Sequence, residues 1–232
     1  MGHMCRSATL LSKNLRPLQK LENYSFMQRP LKLIILAGLA LVLFYIISDA
    51  FLNEDNYIQP LLKEREDKDL SFRSRANTPF DDAGRRAFKN LVYYEPDLEY
   101  RVKAEVAPLT KQDTLLMPLT NGSYEPYLRY GLAKFELQGE QHQLTLYKKL
   151  SGEKDQLFVP FTDKTNGFET YGGGRFLDVP YEEGDKTITL DFNRAYSPFC
   201  AYNADYVCPV PPKENRLGIA IPAGEKNYEK AE

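Results

Sequence analysis

Apolar and polar positions follow three different patterns along this chain. Residues 33–47 (LIILAGLALVLFYII) are uninterruptedly apolar, and residues 48–52 add Ala50, Phe51 and Leu52. A membrane-crossing helix needs about 20 residues and is possible from about 17. Residues 33–52 therefore predict one transmembrane segment in contact with the lipid bilayer. A buried core helix is the alternative, but no second apolar helix exists to pack against it. Residues 53–75 predict a charged helix leaving the membrane, with Tyr57, Leu61 and Leu62 on one face. The run 64–69 (EREDKD) reads as its solvated side. Thr78-Pro79 predicts the start of a second short helix, with Thr78 as N-cap and Phe80, Ala83, Ala87 and Phe88 as its buried stripe.

From residue 98 onward the period changes to two. Tyr100, Val102, Ala104 and Val106 alternate with Arg101, Lys103 and Glu105, as in a half-buried strand. Similar runs lie at 114–119, 127–137, 143–148, 157–161, 187–192 and 217–221, and Gly139-Glu140 reads as a hairpin turn. Gly172-Gly173-Gly174 reads as a tight connection into a strand at 175–179. The fold class expected is mainly β: an antiparallel barrel or sandwich with short N-terminal helices, preceded by one transmembrane helix. The domains expected are a basic segment at 1–32, the anchor at 33–52 and one β-rich domain at 57–228.

Charge orients this arrangement. The first 32 residues carry +5, and the remainder carries −7, giving the net −2 of the chain. Positive charge before the apolar run predicts a cytoplasmic N-terminus and an extracytoplasmic C-terminal domain at the cell (inner) membrane. The alternative is a cleaved, secreted form, since Ser48-Asp49-Ala50 resembles a signal-peptidase site, more so if translation starts at Met27. The acidic domain argues against a nucleic-acid partner, which would require a basic face. In an oxidising compartment Cys200 and Cys208 form an even pair and a disulfide candidate.

The segments PFTDKTNGFETYGGGRF (160–176) and LDFNRAYSPFCAYNADYVCPVPPKENRLGIAIPAGEK (190–226) concentrate Gly, Pro, Asn, Tyr and single charges. They closely resemble the signature of the domain-of-unknown-function family 1684. SRANTPFDDAGRRAFKNLVYYEPDLEYRVKAEV (74–106) resembles the family's N-terminal block. Phe176 stands where the family often has Tyr, and Ser197 where Asn is common. With the apolar run, the resemblance is to a membrane-anchored bacterial member. It brings no activity with it.

The signature's polar residues supply the candidate ligand-binding set: Glu169, Tyr171, Arg175, Asp191, Asn193, Tyr196, Tyr202 and Asn215. Arg175 shares its strand face with Leu177 and Val179, so it requires a carboxylate partner, with Glu169, Asp163 or Asp191 as candidates. Such a set either locks loops together or lines a cleft that grips an anionic group. Catalytic machinery is not identifiable. His142 is the single histidine of the domain, and the spacing of Cys200 and Cys208 does not suit zinc. No metal or cofactor is expected. Three functions remain open: a binding domain for a small molecule or envelope component, a carboxylate-dependent hydrolase or isomerase, and a structural or interaction module.

Overall fold

Strand alternation builds the fold. In β3 (Tyr124–Leu137) Gly131, Ala133, Phe135 and Leu137 are buried, and in β4 (Glu140–Lys149) the buried Leu146 and Leu144 pair with Gly131 and Ala133. The computed structural model describes residues 22–75, 78–109, 111, 113–150 and 156–229, with the side chains of 22–31 and 46–54 outside that description. The chain divides into two compact units, residues 1–53 and 54–232.

The second unit is mainly β. To β3 and β4 it adds β1 (Arg101–Pro108), β2 (Thr114–Pro118), β5 (Gln156–Phe161), β6 (Arg175–Pro180) and β7 (Thr187–Asp191). All pair antiparallel in one sheet of order β6-β5-β4-β3-β1-β7, with β2 beside β3. Phe176 of β6 and Tyr196, just after β7, exchange backbone hydrogen bonds of 2.9 and 3.0 Å. This bridge brings the two ends of the strand order together, giving a nearly closed barrel. Inward residues such as Val106, Phe135, Val159, Leu177 and Leu190 form its core.

The expected strand at 217–221 is not one. Its amides and carbonyls bond to the 162–164 loop and to the Asp163 carboxylate rather than to a neighbouring ladder. The β3–β4 turn is Gln138-Gly139, one residue earlier than expected, with φ of 55° and 75°, the paired left-handed conformation that suits strand twist. The second helix, α2 (Asp82–Ala87), is shorter than predicted and is capped by Asp81, whose carboxylate accepts from the Gly84 amide at 2.6 Å. Thr78 is not its cap.

The first helix, α1 (Glu22–Arg73), covers both the apolar run and the charged stretch. Every described side chain from 32 to 45 is exposed. Among the described residues no helix is long and apolar enough to cross a membrane. The far end of the expected span, and most of the 1–32 segment, fall outside the described side chains. Within the second unit the charged stretch is more than a solvated face. Leu61 is buried, Lys68 pairs with Glu225 at 2.7 Å, and Asp69 accepts from the Leu91 amide at 2.9 Å.

Candidate functional site

Arg175 is the hub of the signature. It points inward with Leu177 and Val179, and its guanidinium pairs with Asp163 at 2.9 Å, neither side chain retaining any exposure. It also donates to the carbonyls of Ile221 at 2.9 Å and of Ala223. Asp163 in turn accepts from the Thr165 and Ile221 amides at 2.8 and 3.2 Å. The pair thus ties the 163–165 turn to the 221–225 segment. Gly224 lets that segment approach, since its φ is +78° and a Cβ there would sit 2.6 Å from the carbonyl oxygens of Phe192 and Ala195. Arg175 is therefore a structural clamp, sealed in the interior and apart from the main surface clefts.

Of the other predicted residues only Asn193 and Tyr196 line a common cavity, the one beside α1. Asn215 is buried where β4 and β5 pair only at Tyr147 and Phe158. Its amide holds the Thr145 backbone N–H and carbonyl at 2.7 and 2.9 Å and the Pro160 carbonyl at 2.8 Å, replacing ladder bonds. Tyr202 is buried and donates to the Glu225 carboxylate. Asp191 accepts from the Tyr57 hydroxyl at 2.8 Å and from Arg194 at 3.0 Å. Asn193 holds the Asp97 backbone from both sides, at 2.9 and 2.7 Å. Glu169 accepts from Tyr94 at 2.9 Å. The Tyr171 hydroxyl lies 3.7 Å from the Cys200 sulfur, and burial with that contact pushes it up to about 12.

The expected Cys200–Cys208 disulfide is absent. Both thiols are free, and the Cys200 amide donates to the Cys208 sulfur at 3.2 Å. Burial and the neighbouring Cys200 thiol push Cys208 up to about 12.

Of the predicted set, Tyr196 faces the cavity best suited to a ligand. This cleft of about 420 Å³ lies on the outer face of the sheet. Alternation places Phe158 of β5 and Phe176 and Asp178 of β6 there, opposite the inward Val159, Arg175 and Leu177. Phe158 packs edge-on against Phe176 at 4.9 Å, Phe176 against Tyr196 at 5.9 Å, and Tyr127 stacks on Phe158 at 5.5 Å. The 196–199 and 206–209 segments form the opposite wall, which carries Cys208. Asp178 accepts from the Tyr196 hydroxyl at 2.7 Å. Burial, reinforced by that carboxylate, raises the Tyr196 pKa well above its ordinary value, so the phenol stays protonated and donating. Lys149, paired with Glu125 at 3.3 Å, adds a charged rim. Phe158, Phe176 and Asp178 were missed as site residues. The signal available was aromatic side chains at outward strand positions.

The family described as "Protein of unknown function (DUF1684)" matches residues 86–226. The chain is also similar to the uncharacterized protein from gene locus rrnAC0354 of Haloarcula marismortui, whose structure was solved in solution by NMR. The two are 36% identical with a TM-score of 0.61, covering 75% of this chain and 96% of that one. No curated protein sequence matches.

Proposed function

The chain belongs to the DUF1684 family, and from that premise we propose that it is a membrane-tethered binding protein. Its β-domain takes a compact aromatic or apolar molecule into the outer-face cleft, with the donor group of the ligand on Asp178. The observation that carries this reading is the aromatic row Tyr127–Phe158–Phe176–Tyr196, which converges on one carboxylate. Pockets of this kind bind through apolar area and are oriented by a few polar groups. Asp178 is the only carboxylate among the described lining residues, so a two-carboxylate acid–base mechanism finds no second arm there. This favours binding over a hydrolase or isomerase.

The tether is part of the same proposal. Exposed apolar side chains from Leu33 to Tyr45 are costly in water and suit lipid, and the basic flank orients them. The N-terminus would be cytoplasmic and the domain extracytoplasmic, able to meet small molecules or envelope components.

Saturation-transfer NMR on the full chain with water-soluble phenethylamine tests the binding function. Transfer to the aryl protons is expected, reduced in Asp178→Asn and abolished in Phe176→Ala. No transfer from the unmodified protein to this amine or to phenol would overturn it.

A further inference from the structure

Behind the wall formed by residues 195–199 lies a second cavity of about 290 Å³, between the charged part of α1 and the segment after β7. Three cations face it: Arg65, Lys68 and Arg194. Two are neutralised. Lys68 pairs with Glu225, and Arg194 with Glu64 and Asp191. Arg65 has no carboxylate within ion-pair distance among the described residues. Its terminal nitrogens donate to the Tyr94 and Asn193 carbonyls at 2.9 and 3.2 Å, and its guanidinium lies 4.5 Å from the Tyr93 ring centroid.

Three polar atoms of residues lining this cavity are buried without a hydrogen-bond partner among the described residues: Arg65 Nε, the Tyr93 hydroxyl and Ser197 Oγ. Ser197 as a whole is only 2% exposed. Buried polar atoms are rarely left unpaired, and Arg65, itself only partly buried, brings a charge to this cavity with no anion against it. Burial lowers the Arg65 pKa, consistent with a charge held without full compensation. A bound water would satisfy the hydroxyls but leave that charge unbalanced. An oxyanion satisfies both, since it offers several acceptor atoms to a guanidinium fork and to hydroxyl donors.

We infer that this cavity is a binding site for a small oxyanion, a carboxylate or phosphate group, held by Arg65, Tyr93 and Ser197. The site lies on the α1 side of the wall it shares with the aromatic cleft, and Ser197 lines both cavities. Its α1 wall lies upstream of the family-matched residues 86–226. The charged run 64–69 thus contributes a ligand-binding group that its solvated appearance conceals.

Calorimetric titration of the full chain in a non-ionic detergent tests the site, at constant ionic strength with chloride as the reference anion. The probes are inorganic phosphate, acetate and dihexanoyl phosphatidic acid. Saturable binding of at least one is expected, abolished by Arg65→Met and weakened at least tenfold by Tyr93→Phe. Tyr93→Phe removes a hydroxyl without a hydrogen-bond partner among the described residues, so it tests the site even if Arg65→Met does not fold. Saturation by phosphate or acetate identifies a free anion as ligand. Saturation by the short-chain lipid alone identifies a headgroup, and either result upholds the site. No saturable binding of any probe, or binding unchanged in Tyr93→Phe, would overturn it.

Discussion

Arg175 and Asp163 form an ion pair 2.9 Å long in which both side chains are wholly buried. Removing one member of such a pair leaves an uncompensated charge and costs about 3–5 kcal/mol. Arg175→Met should therefore destabilise the domain by that amount, read from the urea midpoint. Asp163→Asn added to it neutralises the stranded carboxylate while keeping an acceptor for Thr165 and Ile221, and should recover about 1–2 kcal/mol. Loss of ligand binding by a fully stable Arg175→Met would instead make Arg175 a ligand group.

Two glycines of nearly equal backbone conformation should respond differently. Gly139 has φ +75° and open space where a methyl group would go, whereas Gly224 has φ +78° and two carbonyl oxygens 2.6 Å from that position. Gly139→Ala should cost about 1 kcal/mol, the ordinary left-handed penalty. Gly224→Ala should cost at least about 3 kcal/mol, because strain and a clash with fixed backbone add together. Equal shifts in melting temperature would show that the 221–225 segment is not held as described.

The cysteines give a pH-dependent prediction. The Cys208 thiol is pushed up to about 12 from its ordinary 9.0. Above pH 9 the unfolded chain has released a proton that the folded chain retains, so unfolding becomes easier as pH rises. This contribution to stability is complete below pH 9 and is lost as pH climbs to about 12. Cys208→Ala should flatten stability against pH over that interval. Alkylation of unreduced, denatured protein should mark both Cys200 and Cys208; a disulfide-linked peptide by mass spectrometry would contradict the free thiols.

For the membrane tether, protease added to the cytoplasmic side of sealed vesicles should leave residues 53–232 intact, and protease on the opposite side should digest them. Soluble protein beginning near Phe51 would replace the anchor with a cleaved signal.

Much of the barrel was legible because period two is strict where one strand face is buried. Val102, Ala104 and Val106 fixed the face of β1, and Arg175, Leu177 and Val179 that of β6. The pattern misled at 217–221, where apolar alternation is equally good but the backbone partners are a loop and a carboxylate. The demand of Arg175 for a carboxylate was readable from its apolar neighbours, and Asp163 was among the expected partners. Its role as a clamp rather than a cleft wall was not, because inward and cleft-facing positions look alike without the tertiary arrangement. Arg65 and Lys68 were hidden for a similar reason. A charged run carries no local mark of the neighbour that buries it. The aromatic cleft depends on the packing of the 196–209 segment onto the outer face of β5 and β6, a contact between residues far apart in sequence.

The most direct test of the binding account follows individual rings. In protein carrying 13C-labelled Phe and Tyr, phenethylamine should shift the resonances of Phe158, Phe176 and Tyr196 together and saturably. Phe161 and Phe192, packed inside the barrel beside Arg175, should stay in place. Shifts confined to Phe161 and Phe192, or none at the three cleft rings, would contradict the assignment of the outer-face cleft as the binding site.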